Sequence, residues 1–250
     1  MPKLLDSLEK AVVKLRRKRV SQELFLKHRG IVQRGPFKGL SLDGEANISQ
    51  GPLALKIFGL YEHIVIEKII QLGPFRDVVN IGAADGYFSL GLLKAGLAQR
   101  SICFEVTQAG RAEILRNAQR NGVADRVVIL GKADQGIAQH LMSNRFQPDA
   151  ALVLCDVEGA EFKLLSAPFL HALKSAVLIV ELHDKIHTGP ANRRAGLISN
   201  LPRGRRYEII KSVPPPWSGI QDIESLSDND RALVTSEGRR AIGEWLVVTS

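Results

Sequence analysis

The stretch Val78–Ser89, VVNIGAADGYFS, constrains this chain more than any other. An apolar run ends abruptly in small residues and passes into a helix-like pattern, which predicts a buried strand, a tight turn and a helix start. Gly82 and Gly86 let the backbone bend sharply and approach a ligand closely, and the first helical turn offers unpaired N–H groups to polar ligand atoms. About twenty-five residues on, near the spacing such folds use, Ser101–Glu105, SICFE, is again an apolar run closed by an acid. A second strand placing Glu105 on the two hydroxyls of a ribose would have this form. Together the two pieces point to a nucleotide-binding α/β sheet.

Three further runs extend the pattern. Arg126–Leu130, RVVIL, reads as a short strand leading into Gly131, Lys132, Ala133 and Asp134. Asp134 either accepts a hydrogen bond from an adenine amino group or caps the helical run Gln135–Ser143. Ala150–Cys155, AALVLC, ends in DVEGAE (Asp156–Glu161), and Val177–Val180 ends in Glu181, Leu182, His183 and Asp184. Both deliver carboxylates to the ends of buried strands, where open parallel sheets hold their ligands. Strand alternation puts Glu181 and His183 on one face.

The glycine turn, CFE, the Asn117–Gly122 segment NAQRNG, DVEGAE and VELHD follow one another in an order that resembles FkbM-type methyltransferases, over Val78–Asp184. GPFKGL (Gly35–Leu40) and FGLYEHIV (Phe58–Val65) also look like the lead-in of some bacterial members. The resemblance implies a Rossmann-like, seven-stranded, mostly parallel sheet with helices on both faces, S-adenosylmethionine as cofactor, and methylation of a hydroxyl on a sugar, glycan or glycosylated natural product. It implies a cofactor site built from Asn80, Gly82, Ala83, Asp85, Gly86, Tyr87, Glu105, Val106, Ala133, Asp134 and Asp156. Two positions depart from the family's pattern. Asn80 stands where the first motif usually has Asp, keeping the acceptor oxygen without the formal charge, and Ala84 replaces the more usual Asn or Gly of the turn.

For such a transfer the chain must align donor, methyl group and acceptor and remove a proton from a weakly acidic hydroxyl. His183 is the candidate general base, with Asp156 or Glu158 orienting it or binding the acceptor. The competing arrangement brings Asp156, Glu181 and His183 together on a divalent metal such as Mg²⁺; a third is a salt-linked cluster that only steadies the sheet end. Glu161 is expected to cap the following helix or to pair with Lys163 or a nearby arginine.

With 250 residues, 45% of them hydrophobic, the chain can bury one sheet-based core with a short appendage; the expected division is a helix-and-loop segment 1–50 and a methyltransferase domain 51–250. No run reaches the roughly twenty apolar residues of a membrane span, and the charged N-terminal region lacks an apolar signal core, so a cytoplasmic protein is expected. Cys103 and Cys155 fall inside strand patterns and read as core residues. The net charge is +8, concentrated at Arg16–Arg19, Arg193–Arg194 and Arg203–Arg206. Such charge serves solubility, an anionic acceptor or a polyanion.

Leu5, Leu8, Val12 and Leu15 recur at helical spacing within a helix expected over Leu4–Arg29, fit to pack on the main domain, on a second copy as a homodimer, or on a membrane surface. Leu53–Leu72 reads as one helix, and Gly30–Gly51 as a loop with SLDGEANIS near the cleft. A loop and helix (His187–Asn200), a strand (Arg205–Val213), an extended PPPW segment (Pro214–Trp217) and a closing strand (Glu244–Thr249) complete the chain. Trp217 either stacks on a sugar ring or covers an apolar edge. Two rivals fit less well: a nicotinamide-dependent oxidoreductase needs glycine where Ala84 stands, and a base-methylating enzyme carries an Asp/Asn-Pro-Pro-aromatic motif where this chain has DVEG. Nucleic acid is therefore not the expected partner.

Overall fold

Seven strands form one sheet in the order β3-β2-β1-β4-β5-β7-β6: β1 (Phe75–Ile81), β2 (Ala98–Phe104), β3 (Val127–Leu130), β4 (Ala151–Cys155), β5 (Val177–Glu181), β6 (Arg206–Lys211) and β7 (Glu244–Thr249). The computed structural model describes residues 2–43, 52–184, 192–239 and 241–250, with side chains from residue 9 onward. Strands β1 to β5 pair in parallel, whereas β7 runs antiparallel to both β5 and β6. The apolar run of β4 and the apolar residues of β1 follow from burial on both faces: Val78, Val79 and Ile81 have no exposed surface, nor do Leu152, Val153 and Cys155.

Helices α1 (Pro2–Lys27), α2 (Leu53–Ile57) and α3 (His63–Leu72) precede the sheet. The crossovers carry α4 (Tyr87–Lys94), α5 (Gln108–Arg120), α6 (Ile137–Ser143), α7 (Glu161–Leu164), α8 (Ala167–Ala172) and α9 (Arg193–Ser199). The long β6–β7 connection holds α10 (Gln221–Glu224) and α11 (Asp228–Val234). Strand order reverses at β1/β4, so the C-terminal ends of these neighbours open a crevice.

The single helix expected over Leu53–Leu72 is broken into α2 and α3. Gly59 (φ +66°) and Glu62 (φ +46°) adopt the left-handed conformation that ends one helix before the next begins. The irregular segment at Gln33–Gly35 runs alongside: Gln33 N donates to Ile57 O at 2.7 Å, and a Cβ on Gly59 would lie 2.2 Å from Arg34 O. Tertiary contact overrides the apolar periodicity there. Segments before residue 44 join the main core, where Val32, Phe37, Leu40 and Leu42 pack in one apolar cluster with Val78 and Leu90. Phe37 sits over α4 where Gly91 lacks a Cβ that would come within 2.4 Å of the ring. Most of SLDGEANIS, and the loop at 187–191, lie outside the described residues. Cys103 and Cys155 are buried free thiols, and burial pushes both pKa values up.

Candidate active site at the C-terminal edge of the sheet

Gly82 ends β1 at φ +86°, and a Cβ there would lie 1.8 Å from Asp156 O, so only glycine lets the β1 and β4 exits pass this closely. Its N–H and that of Ala83 donate to Phe104 O at 2.9 and 3.0 Å, drawing the ends of β1 and β2 together. Ala84 takes φ +49°, which aims its N–H at Glu105 Oε2, 3.1 Å away. Glu105 Oε1 accepts from Thr107 N at 2.8 Å and Thr107 Oγ1 at 2.7 Å. A Cβ on Gly110 would stand 2.7 Å from Glu105 Cγ, so that glycine leaves room for the carboxylate. The Glu105 side chain is thus locked in place before any ligand arrives.

Beside it opens a cavity of about 420 Å³ whose lining includes Gly82, Glu105, Val106, Ala133, Asp156 and Glu158, all singled out from the sequence. The other expected cofactor residues shape this wall from behind. Gly86 (φ +83°) starts α4, and Ala83 is buried against Cys103 and Ile114. Asn80 Nδ2 donates to Ser89 Oγ at 3.1 Å. Asp85 accepts from Tyr87 N at 3.1 Å and pairs with Lys56 Nζ at 2.5 Å. Tyr87 is wedged between Phe37 and Tyr61. Asp134 accepts from Gly136 N at 2.8 Å at the approach to α6 and does not line the cavity. Lys56, buried with its ammonium 5.3 Å from the Tyr61 ring centre and 5.4 Å from that of Tyr87, carries no motif that would have exposed it in sequence.

At the β4 and β5 exits the side chains converge on His183, which is 2% exposed. Its Nε2 lies 3.6 Å from Glu158 Oε2, and 3.7 Å from both Asp156 Oδ1 and Glu181 Oε2. Left-handed Glu158 (φ +51°) and Gly159 (φ +98°) turn the chain around this point. Asp156 Oδ1 is buried without a hydrogen-bond partner, although 27% of the side chain stays open.

Glu161 corrects the sequence expectation. It pairs neither with Lys163 nor with an arginine: fully buried, its Oε1 accepts from His183 N at 2.9 Å and faces His183 Nδ1 at 3.2 Å, while its Oε2 accepts from Gly159 N at 2.8 Å. One carboxylate therefore ties the β4 turn to the β5 exit and engages one imidazole nitrogen.

Burial alone lowers the His183 pKa, but the hydrogen bond and charge of Glu161 and the charges of Asp156 and Glu158 outweigh it, and the net direction is up. Burial pushes Asp156 and Glu181 up as well, and the charge of Asp156 raises Glu181 further. Glu181 Oε1 also accepts from Arg239, whose guanidinium reaches Glu62 and Glu237 in addition. Burial pushes Glu237 up to about 7.

The trio whose donor atoms lie within 4.8 Å of one another, close enough for one metal ion, is Asp156, Glu158 and His183. Glu181, expected in such a trio, keeps Oε2 3.7 Å from His183 Nε2 and gives Oε1 to Arg239. Arg239 also lines a second cavity of about 580 Å³ with Pro214, Pro215, Trp217 and Ile242, so a single side chain links this cavity to the His183 cluster. The Arg231 guanidinium lies 5.3 Å from the Trp217 ring centre.

Several clustered cations have local partners: Arg16 binds Asp230, Arg194 binds Asp184 and Glu244, and Arg205 donates to the carbonyls of Leu173, Ala176 and Thr249. Among the described residues no helix is long and apolar enough to cross a membrane.

No protein-family model matches the chain, and no curated protein does. Among solved structures, it is similar to an O-methyltransferase from Bacillus cereus in complex with SAH (17% identity, 93% of this chain and 91% of that one, TM-score 0.49). It is also similar to a proposed O-methyltransferase from Klebsiella pneumoniae (12%, 98% and 94%, TM-score 0.47). A third is a precorrin-6y C5,15-methyltransferase from Geobacter metallireducens (12%, 75% and 87%, TM-score 0.46). Likenesses this distant carry no statement about chemistry.

Proposed function

We propose that the chain is an S-adenosylmethionine-dependent methyltransferase acting on a hydroxyl of a sugar, glycan or glycosylated natural product. One observation carries the reading: the fixed Glu105 carboxylate and the Asp156–Glu158 edge of the His183 cluster border a single cavity. A ribose hydroxyl needs an anchored acceptor oxygen, and Glu105 Oε2 keeps a lone pair after binding Ala84 N, whereas Oε1 already accepts from both Thr107 N and Thr107 Oγ1. Gly82 in the cavity lining lets a ligand lie directly against the backbone. Bound in this cradle, the cofactor supplies an electrophilic methyl group on a sulfonium.

The rest of the work falls to the chain's own groups. With its Nδ1 proton directed at Glu161, His183 keeps the Nε2 lone pair toward Asp156 and Glu158, where it accepts the hydroxyl proton as the acceptor oxygen attacks. The surrounding carboxylates favour the imidazolium that results. Asp156, whose side chain stays 27% open and lines the cavity, accepts a hydrogen bond from the acceptor and orients it. A second reading, favoured by the 4.8 Å convergence of Asp156, Glu158 and His183, places Mg²⁺ or another divalent ion there, whose Lewis acidity lowers the hydroxyl's pKa.

The test compares melting temperatures with S-adenosylmethionine, S-adenosylhomocysteine and NAD⁺, followed by methyl transfer to a panel of sugar hydroxyls before and after chelation. A rise with the first two ligands and transfer that survives chelation support the base reading; transfer lost on chelation and restored by Mg²⁺ selects the metal. A rise with NAD⁺ alone sinks both.

A further inference from the structure

Helix α1 is docked by one side only. Val20, Ser21, Leu24 and Phe25 are buried where it packs against α2 and α11, while Val12, Leu15 and Leu26 are 64%, 69% and 72% exposed. These outward residues belong to a regular pattern. In sequence, Leu5, Leu8, Val12, Leu15, Arg19, Gln22 and Leu26 alternate spacings of three and four, the a and d seats of a heptad repeat, with polar residues in two of them. Val12, Leu15 and Leu26 of this seam are left in water, the signature of a missing helix.

We propose that this seam pairs with the same seam of a second copy of the chain, the two α1 helices running antiparallel about a two-fold axis. Charge selects the partner and the direction. A parallel, in-register pair would set Arg19 against Arg19 in the seam, a like-charge contact. An antiparallel pair with Val12 opposite the partner's Leu15 places Glu9 beside the partner's Arg16, twice by symmetry. Arg19 then lies away from the centre of the overlap, where its long stem carries the charge to solvent. Arg16 already binds Asp230 through Nε and Nη2 at 2.7 and 2.6 Å, which leaves Nη1 for a second carboxylate. The opposite side of the helix is committed to the body of the protein, so pairing needs no rearrangement of the fold.

Sedimentation of the full chain across a concentration series tests this. The expected result is a shift from 27.4 kDa to twice that mass as concentration rises. The exposed-face variant Val12→Glu/Leu15→Glu should stay at the mass of one chain with an unchanged melting temperature. Crosslinking fixes the direction: an equimolar mixture of Val12→Cys and Leu15→Cys chains should form a mixed disulfide, and Val12→Cys alone should not, because Cys103 and Cys155 are buried. Wild-type chain that stays monomeric up to its solubility limit overturns the proposal, as does an unaltered dimer in the double Glu variant or self-crosslinking by Val12→Cys. A monomer that instead floats with vesicles containing phosphatidylglycerol assigns the seam to a lipid surface and equally overturns it.

Discussion

Two ends of the same sheet edge are built on opposite terms. At the β1–β2 side, Glu105 is matched by three donors, and the glycine turn closes on backbone carbonyls. At the β4–β5 side, Asp156, Glu158, Glu161 and Glu181 surround one imidazole, and one oxygen of Asp156 has no partner. A matched carboxylate on a rigid turn suits recognition, since little reorganisation accompanies binding. Crowded acids around a histidine keep protons mobile and suit chemistry. Under the proposed function, the contrast would give affinity to one end and turnover to the other.

Substitutions can break that contrast, and the largest effect falls where the two ends touch. Gly82→Ala puts a Cβ on a left-handed residue and into the Asp156 carbonyl, so a drop of more than about 10 °C in melting temperature is expected by calorimetry. His183→Asn keeps an N–H for Glu161 but removes the base; turnover should fall by about 10²- to 10⁴-fold with S-adenosylmethionine affinity intact. Equal losses of affinity and turnover would erase the division of labour. Glu105→Ala should act the other way, weakening cofactor binding about 10- to 100-fold in titration calorimetry while saturated turnover changes less.

Glu161→Gln sharpens the comparison with the smallest expected change. The negative Glu161 helps raise the His183 pKa, so neutralising it lowers that pKa and moves the acidic limb of the pH–rate profile to lower pH. Linkage gives a matching sign in stability. The raised His183 pKa contributes stability that is complete below the unfolded imidazole pKa and is lost as pH rises through the folded one. The variant should therefore lose more melting temperature on the acidic side than at high pH. An acidic limb that stays in place would show that Glu161 only braces the turn.

The sheet was readable because its signals are local: β3 and β4 are apolar throughout, and Glu244–Thr249 was delimited to the residue. Gly82 and Glu105 were readable for the same reason, since a turn and the acid at a strand's end declare themselves within a few positions. Lys56, Glu62, Arg239 and the true partner of Glu161 were not. Their roles depend on contacts made across the fold, such as Arg239 with Glu62, and no periodicity encodes a partner that distant. Gly59 was hidden likewise, because the reason α2 stops is the neighbouring backbone at Arg34.

Asn117 has a consequence for how the early segment and the glycine turn depend on each other. Its Oδ1 accepts from Asp43 N at 2.7 Å, and its Nδ2 donates to Asp85 O at 2.9 Å, so one carboxamide on α5 bridges the early segment and the glycine turn. Loosening the stretch that ends at Asp43 would therefore be felt at the glycine turn through a single side chain.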